Sequence, residues 1–202
     1  MTQWPLSDAV EDMPAGLWIR RGSPPPMFSM HRHDDVEINL VLDGQLHYLF
    51  GGQPLTIREG EIAVFWAAQP HGLVDSRTGD VCWVHVPFSM FLSWGLPEAQ
   101  TAPLLSAQPL ITHAPGLAAR IAHTAEQWGH EIEGAEPGRP TGDTDADGAD
   151  DDSAEIAMLE IQAAVRRVLR ASSRANPEAP ADGGGSVPAA RLRQVSAMAQ
   201  YV

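Results

Sequence analysis

Two periodicities divide the chain near residue 115. Ahead of it, short apolar stretches alternate with Gly, Pro and Asp, the punctuation of short antiparallel strands. The alternation predicts strands over 17–20, 36–42, 45–50, 53–57, 62–66 and 81–87. Asp43-Gly44 and Gly51-Gly52 tolerate the positive φ of tight hairpins, so they mark turns between strands. Pro24-Pro25-Pro26 reads as a stiff, extended connector. Strands spaced this closely, with no helical period between them, predict an all-β barrel or sandwich.

After Pro115 the period becomes helical. Leu117, Ile121, Ala125, Trp128 and Ile132 recur at three and four residues, forming one apolar stripe. Its partner, the barrel or another subunit, is left open. Residues 136–152 break the pattern with Gly, Pro, Thr and six aspartates from Asp143 to Asp152, the composition of a solvated, disordered loop. A second helix is expected from Ser153, capped by Asp152 or Ser153, to about Arg174. Its stripe is Ile156, Leu159, Ala163 and Arg166, with Met158, Ile161, Val165, Val168 and Leu169 alongside. A helix apolar on more than one side needs more than one partner, which predicts a homodimer through these helices. Residues 176–186 read as a Pro/Gly/Ala linker, and a last helical pattern over 187–202 runs to the end of the chain.

Composition removes several classes of function. All 13 basic residues are Arg, so no Walker-type phosphate loop, Schiff-base lysine or Ser-Lys nucleophile can be built here. The single cysteine, Cys82, forbids an internal disulfide and every multi-cysteine metal motif, and reads as a small buried hydrophobe. A net charge of −13 makes the chain a poor match for nucleic acid. No apolar run approaches a membrane span and no leader pattern opens the chain, so a soluble cytoplasmic protein without membrane contact is expected. No nucleophile–base set emerges, and no catalytic residue is assigned.

The chemistry lies in residues 30–44 and 60–72. His31, His33 and Glu37 share the parity of an extended strand and so point to one face. A fourth group, His71, follows Pro70 at the end of a later strand. Three imidazoles and one carboxylate suit zinc, or an open iron, manganese, nickel or copper site. Asp35 has the same parity: either it orients a histidine, or a bulge turns it outward. Without a metal, the same four residues would form a hydrogen-bonded polar cluster at a pocket. Asn39 lies on their face, one step deeper. Tyr48, Trp66, Trp83 and His85 are candidate pocket lining for an effector, with core packing as the alternative for each aromatic and for His85.

His31-x-His33-x3-Glu37-x6-Gly44 resembles the first motif of the cupin superfamily, and Gly60 through His71 resembles the second. The second motif departs from the family form, because Pro70 directly precedes His71 and no Asn closes the motif. In that drifted form the pattern is similar to the amino-terminal half of AraC/XylS-family transcription regulators, most of all the melibiose-operon type. The resemblance implies a mainly β protein: a cupin-like, jelly-roll barrel followed by an α-helical dimerisation appendage. It implies an arm and first strand over 1–27, the barrel over 28–114 and dimerisation helices over 115–175. Linker 176–186 would then lead to the start of a truncated DNA-binding domain at 187–202. It further implies a sensor for a small molecule, a sugar being one class, that reaches DNA only through the missing domain. The alternative is a metal-dependent cupin enzyme of dioxygenase or isomerase type.

Overall fold

The computed structural model describes residues 16–24, 27, 29–76, 79–134 and 147–175. The amino-terminal arm ahead of residue 16, most of the acidic segment, the linker and 187–202 therefore lie outside the described residues.

Among the described residues, eight strands form two antiparallel sheets, the expected β-barrel architecture with helices at the carboxy-terminal side. The larger sheet contains β1 (Trp18–Gly22), β2 (Asp35–Asp43), β5 (Glu61–Trp66), β7 (Asp80–Pro87) and β8 (Leu110–His113). Their order is β1-β7-β2-β5-β8. The smaller sheet contains β3 (Gln45–Phe50), β4 (Gln53–Arg58) and β6 (His71–Ser76), in the order β4-β3-β6. Helices α1 (Phe88–Ser93) and α2 (Glu98–Leu105) lie between β7 and β8, and α3 (Pro115–Gly134) and α4 (Asp147–Ala175) follow. The β3–β4 hairpin turns on Gly51 and Gly52, both at positive φ, as a tight two-residue loop requires.

Strand parity assigns the faces. Val36, Ile38 and Leu40 of β2, with Ile62, Val64, Cys82, Val84 and Val86, pack against Ile121, Ala125 and Trp128 of α3 and Ile161, Val165 and Leu169 of α4. The opposite parity faces the barrel interior, where Val41, Ala63, Val81 and Trp83 meet Leu46, Tyr48, Ile57 and Leu73. Each fully buried aliphatic contributes about 1.5–3 kcal/mol, so these two layers dominate stability. The stripe on α3 thus meets the sheet of its own chain. Trp128 Nε1 donates to Glu160 Oε2 at 2.6 Å, tying α3 to α4. Arg21 forks onto both carboxylate oxygens of Asp80 at 2.9 and 2.7 Å, clamping β1 to β7. Cys82 is buried, and burial pushes its thiol up to about 12, in keeping with a purely apolar role.

Three features differ from the sequence reading. Strands β6 and β8 and helices α1 and α2 occupy stretches to which the sequence pattern assigns no element; Gly95 and Pro97 lie between the two helices, and Pro103 lies inside α2. Helix α4 begins at Asp147 instead of Ser153, so residues 147–152 are helix and not loop. An acidic run at the amino end of a helix is favoured by the helix dipole. The buried side of α4 is also rotated from the expected stripe: Ala157, Ile161, Ala164, Val165, Val168 and Leu169 are buried, while Ile156 and Leu159 are 55% and 58% exposed. Alanines at 157 and 164 let the helix approach its neighbours closely. Among the described residues, no helix is long and apolar enough to cross a membrane.

Candidate metal centre

Where β2 and β6 begin and β7 ends, the backbone gathers one cluster of polar side chains. His31 and His71 form an isolated antiparallel bridge, each N–H donating to the other's carbonyl at 2.9 Å. His33 N–H donates to Ala67 O at 3.1 Å, and Ala67 N–H to Asp35 O at 2.9 Å. This lacing carries the residues before β2 onto those before β6. Glu37 and His85 are direct partners in the β2–β7 register, so the pleat turns both inward.

The rings stand close together. His31 and His71 have centroids 4.3 Å apart, His31 and His33 5.5 Å, and His33 and His85 5.2 Å. Glu37 Oε2 is the common neighbour: His71 Nε2 is 3.2 Å from it, His33 Nε2 3.8 Å and His85 Nε2 3.9 Å. Two overlapping triads result, His31–His33–His71 and His33–Glu37–His85, with ligand-type atoms within 4.8 Å of one another in each.

Outer contacts settle which ring atoms face this centre. His71 Nδ1 lies 2.8 Å from the Gln69 carbonyl, and His33 Nδ1 lies 2.8 Å from Asp35 Oδ2. A carbonyl or carboxylate can only accept, so both rings carry their proton on Nδ1 and offer Nε2 inward. Orienting oxygens behind inward imidazoles are what metal-ligating histidines characteristically have. Asp35 is thereby resolved as an inward partner of His33. Beneath Glu37, Asn39 Nδ2 donates to Glu37 Oε1 at 3.0 Å. The Tyr48 hydroxyl lies 3.3 Å from the same oxygen and 3.2 Å from Asn39 Oδ1.

Electrostatics place an ionised carboxylate at the centre of the histidine cluster. Burial pushes the Glu37 carboxyl upward, but His85, His71 and His33 outweigh it and hold the group well below the usual carboxylate range. Burial likewise opposes Asp35, yet the His33 hydrogen bond and nearby His85 bring it down to about 2. Burial and the neighbouring His71 and His33 lower His31 to about 4, so it is neutral at physiological pH. Burial would lower His71 too, but the Glu37 carboxylate raises it. Burial and Glu37 keep the Tyr48 hydroxyl protonated.

Several buried nitrogens have no hydrogen-bond partner: both of His31, Nε2 of His33, Nε2 of His71 and Nδ1 of His85. His71 Nε2 lies 3.2 Å from Glu37 Oε2, within ion-pair distance. An unpaired buried polar atom costs about 1–3 kcal/mol, and here they converge. The donor types therefore fit a divalent transition ion, which either triad, His31–His33–His71 or His33–Glu37–His85, could hold.

The expected site residues divide clearly. His31, His33, Glu37 and His71 come together, with Asn39 and Tyr48 directly beneath. Trp83 faces the same interior, within the apolar cluster around Tyr48. Trp66 does not: it pairs with Val36, shares that residue's helix-facing parity, stacks on Phe88 at 4.5 Å and donates to Asp34 Oδ1. It is wall on the outer face and not pocket lining. His85, expected as lining, stands beside Glu37 at the edge of the histidine cluster, and Trp18 stacks on it at 3.7 Å. Its register opposite Glu37 is the signal that identifies it.

Residues 23–87 match the family model of the cupin domain. Over 77 residues the chain is 37% identical to the melibiose operon regulatory protein of Escherichia coli K12, and equally to that of a second Escherichia coli strain. The match covers 38% of this chain and 26% of each relative. The chain thus spans about a quarter of the length of the curated relatives it matches. Among solved structures it is similar to the AraC-like transcriptional activator CuxR, with 12% identity, TM-score 0.44, and 96% of this chain and 68% of that one covered. It is also similar to ToxT from Vibrio cholerae, with 8% identity, TM-score 0.43, and 92% and 63% covered. The two curated relatives are regulatory proteins by name.

Proposed function

We propose that this cupin domain is the ligand-sensing part of an AraC-type transcription regulator, and that it holds a divalent ion at His31, His33, Glu37 and His71. The convergence of unpartnered histidine nitrogens on the Glu37 carboxylate carries the metal assignment. Zinc, iron, manganese and nickel are the candidate ions. An ion there, with a coordination position left open, would present a Lewis acid to a hydroxyl or carboxylate of a small effector, a sugar being the class the relatives' name suggests. Asn39, Tyr48 and Trp83 supply the polar and aromatic surface beside it. The net charge of −13 opposes binding of phosphate backbone, so DNA contact is not assigned to these residues. A regulator acts where DNA is, which assigns a cytoplasmic location.

Homodimerisation is proposed through the exposed side of α4, where Ile156 and Leu159 stand one turn apart. Effector binding switches such a dimer only if it favours one packing of helices against barrel over another. Thermal unfolding with each ion, and then with a panel of sugars, tests the reading. An ion at a hundred times its Kd should add about 2.7 kcal/mol, a rise of roughly 5–10 °C for a domain of this size. An effective sugar should raise the midpoint further. No shift with any ion or sugar would overturn the sensing role.

A further inference from the structure

We propose that His85 is a further metal ligand, which makes the donor set four imidazoles and one carboxylate. The inference rests on the metal reading above and extends it beyond the His31, His33, Glu37 and His71 motif. His85 sits on β7, outside both sequence motifs, and is 2% exposed. Its register partner is Glu37, so the pleat aims both side chains into one space. Its Nδ1 has no hydrogen-bond partner, and the nearby Asp35 Oδ2 is 3.9 Å away, beyond hydrogen-bond distance. Its Nε2 lies 3.9 Å from Glu37 Oε2, too far for a hydrogen bond but suited to two ligands flanking an ion. The ligand atoms of His33, Glu37 and His85 fall within 4.8 Å of one another, and His33 also belongs to the other triad.

A histidine kept only for packing would have its nitrogens paired or solvated. Here the ring face is taken by Trp18, stacked at 3.7 Å and 17°, while the edge is turned to the cluster. That stack fixes the ring plane without consuming either nitrogen. The nitrogen-rich set favours nickel, copper and zinc over manganese and magnesium, which prefer oxygen donors.

The test compares wild type with His85→Phe, which keeps a ring against Trp18 and removes only the donor atoms. Zinc affinity, read by competition with a chromophoric chelator, should fall at least as far as the roughly 10–100-fold that loss of an orienting partner costs. The visible spectrum of the cobalt(II) form should change with it. An affinity within twofold of wild type and an unchanged cobalt spectrum would overturn the inference. Should the variant fail to fold, X-ray absorption of zinc-loaded wild type decides: four imidazoles support His85, and three or fewer exclude it. Wild type that takes up no ion would overturn the metal reading itself, whereas equal binding by wild type and variant would overturn this extension alone.

Discussion

Removing the Asp35 carboxylate should weaken metal binding although Asp35 is not itself assigned as a ligand. The carboxylate is 2.8 Å from His33 Nδ1, and with its pKa brought down to about 2 it is ionised at every working pH. It pins the proton on Nδ1, so the Nε2 lone pair faces the ion, and its charge makes that nitrogen more basic. Asp35→Ala removes both effects and also leaves a half-buried N–H unpaired. Loss of such a partner costs about 10–100-fold in affinity, or roughly 1.4–2.7 kcal/mol. Asp35→Asn still offers an oxygen to Nδ1–H, so orientation survives and only the charge is lost; its defect should be under about tenfold. Competition with a chromophoric zinc chelator at pH 7.5 measures both variants. Wild-type affinity in Asp35→Ala, or a larger defect in Asp35→Asn than in Asp35→Ala, would refute the orienting role.

Further outcomes follow from the same structure. Ile156→Glu with Leu159→Glu should convert a dimer to a monomer in light scattering while changing stability by less than about 0.5 kcal/mol per site, since both side chains are largely exposed; a surviving dimer would place the interface elsewhere. In metal-free protein the His31 pKa is about 4 folded, against 6.5 for the free side chain. The unfolded chain therefore binds more protons between these values, and stability is lost as pH falls through that window. The difference between wild type and His31→Gln in urea unfolding should accordingly turn against wild type from pH 6.5 towards 4, by about 1–2 kcal/mol after allowing for the ring's partial exposure; a flat difference would contradict the burial of that ring. Gly60→Ala should destabilise by about 1–3 kcal/mol, read by thermal melts, because φ is +77° and a Cβ would meet His113 Cε1 at 2.9 Å and Pro115 Cβ at 3.1 Å. A neutral effect would show that the β5–β8 edge is looser than described.

The half of the site that lies within one strand is readable from sequence, because alternation alone puts Glu37 and Asn39 on one face. The half that depends on pairing is not. Trp66 is five residues before His71, yet its pairing with Val36 turns it to the helices, and no local pattern reports that register. His85 is hidden for the same reason: flanked by Val84 and Val86 it looks like a core residue until β7 is laid against β2 and brings it opposite Glu37. Strand β6 begins at His71 itself, just after Pro70, so the expected strand-end position of that histidine becomes a strand start. On α4, hydrophobicity alone favoured the Ile156–Leu159 side, whereas the packed side uses small residues at Ala157 and Ala164. Close approach between elements rewards small side chains, and a hydrophobic stripe does not record it.

Metal content decides whether His31, His33, Glu37 and His71 hold a divalent ion. The untagged chain, purified without chelator and loaded in turn with zinc, iron(II), manganese and nickel, is assayed by plasma mass spectrometry beside a His31→Ala/His33→Ala double variant. Close to one ion per chain is expected in the wild type and little in the variant, with both showing the same far-ultraviolet circular dichroism. Metal absent from the wild type, or retained equally by a folded variant, would contradict the metal assignment.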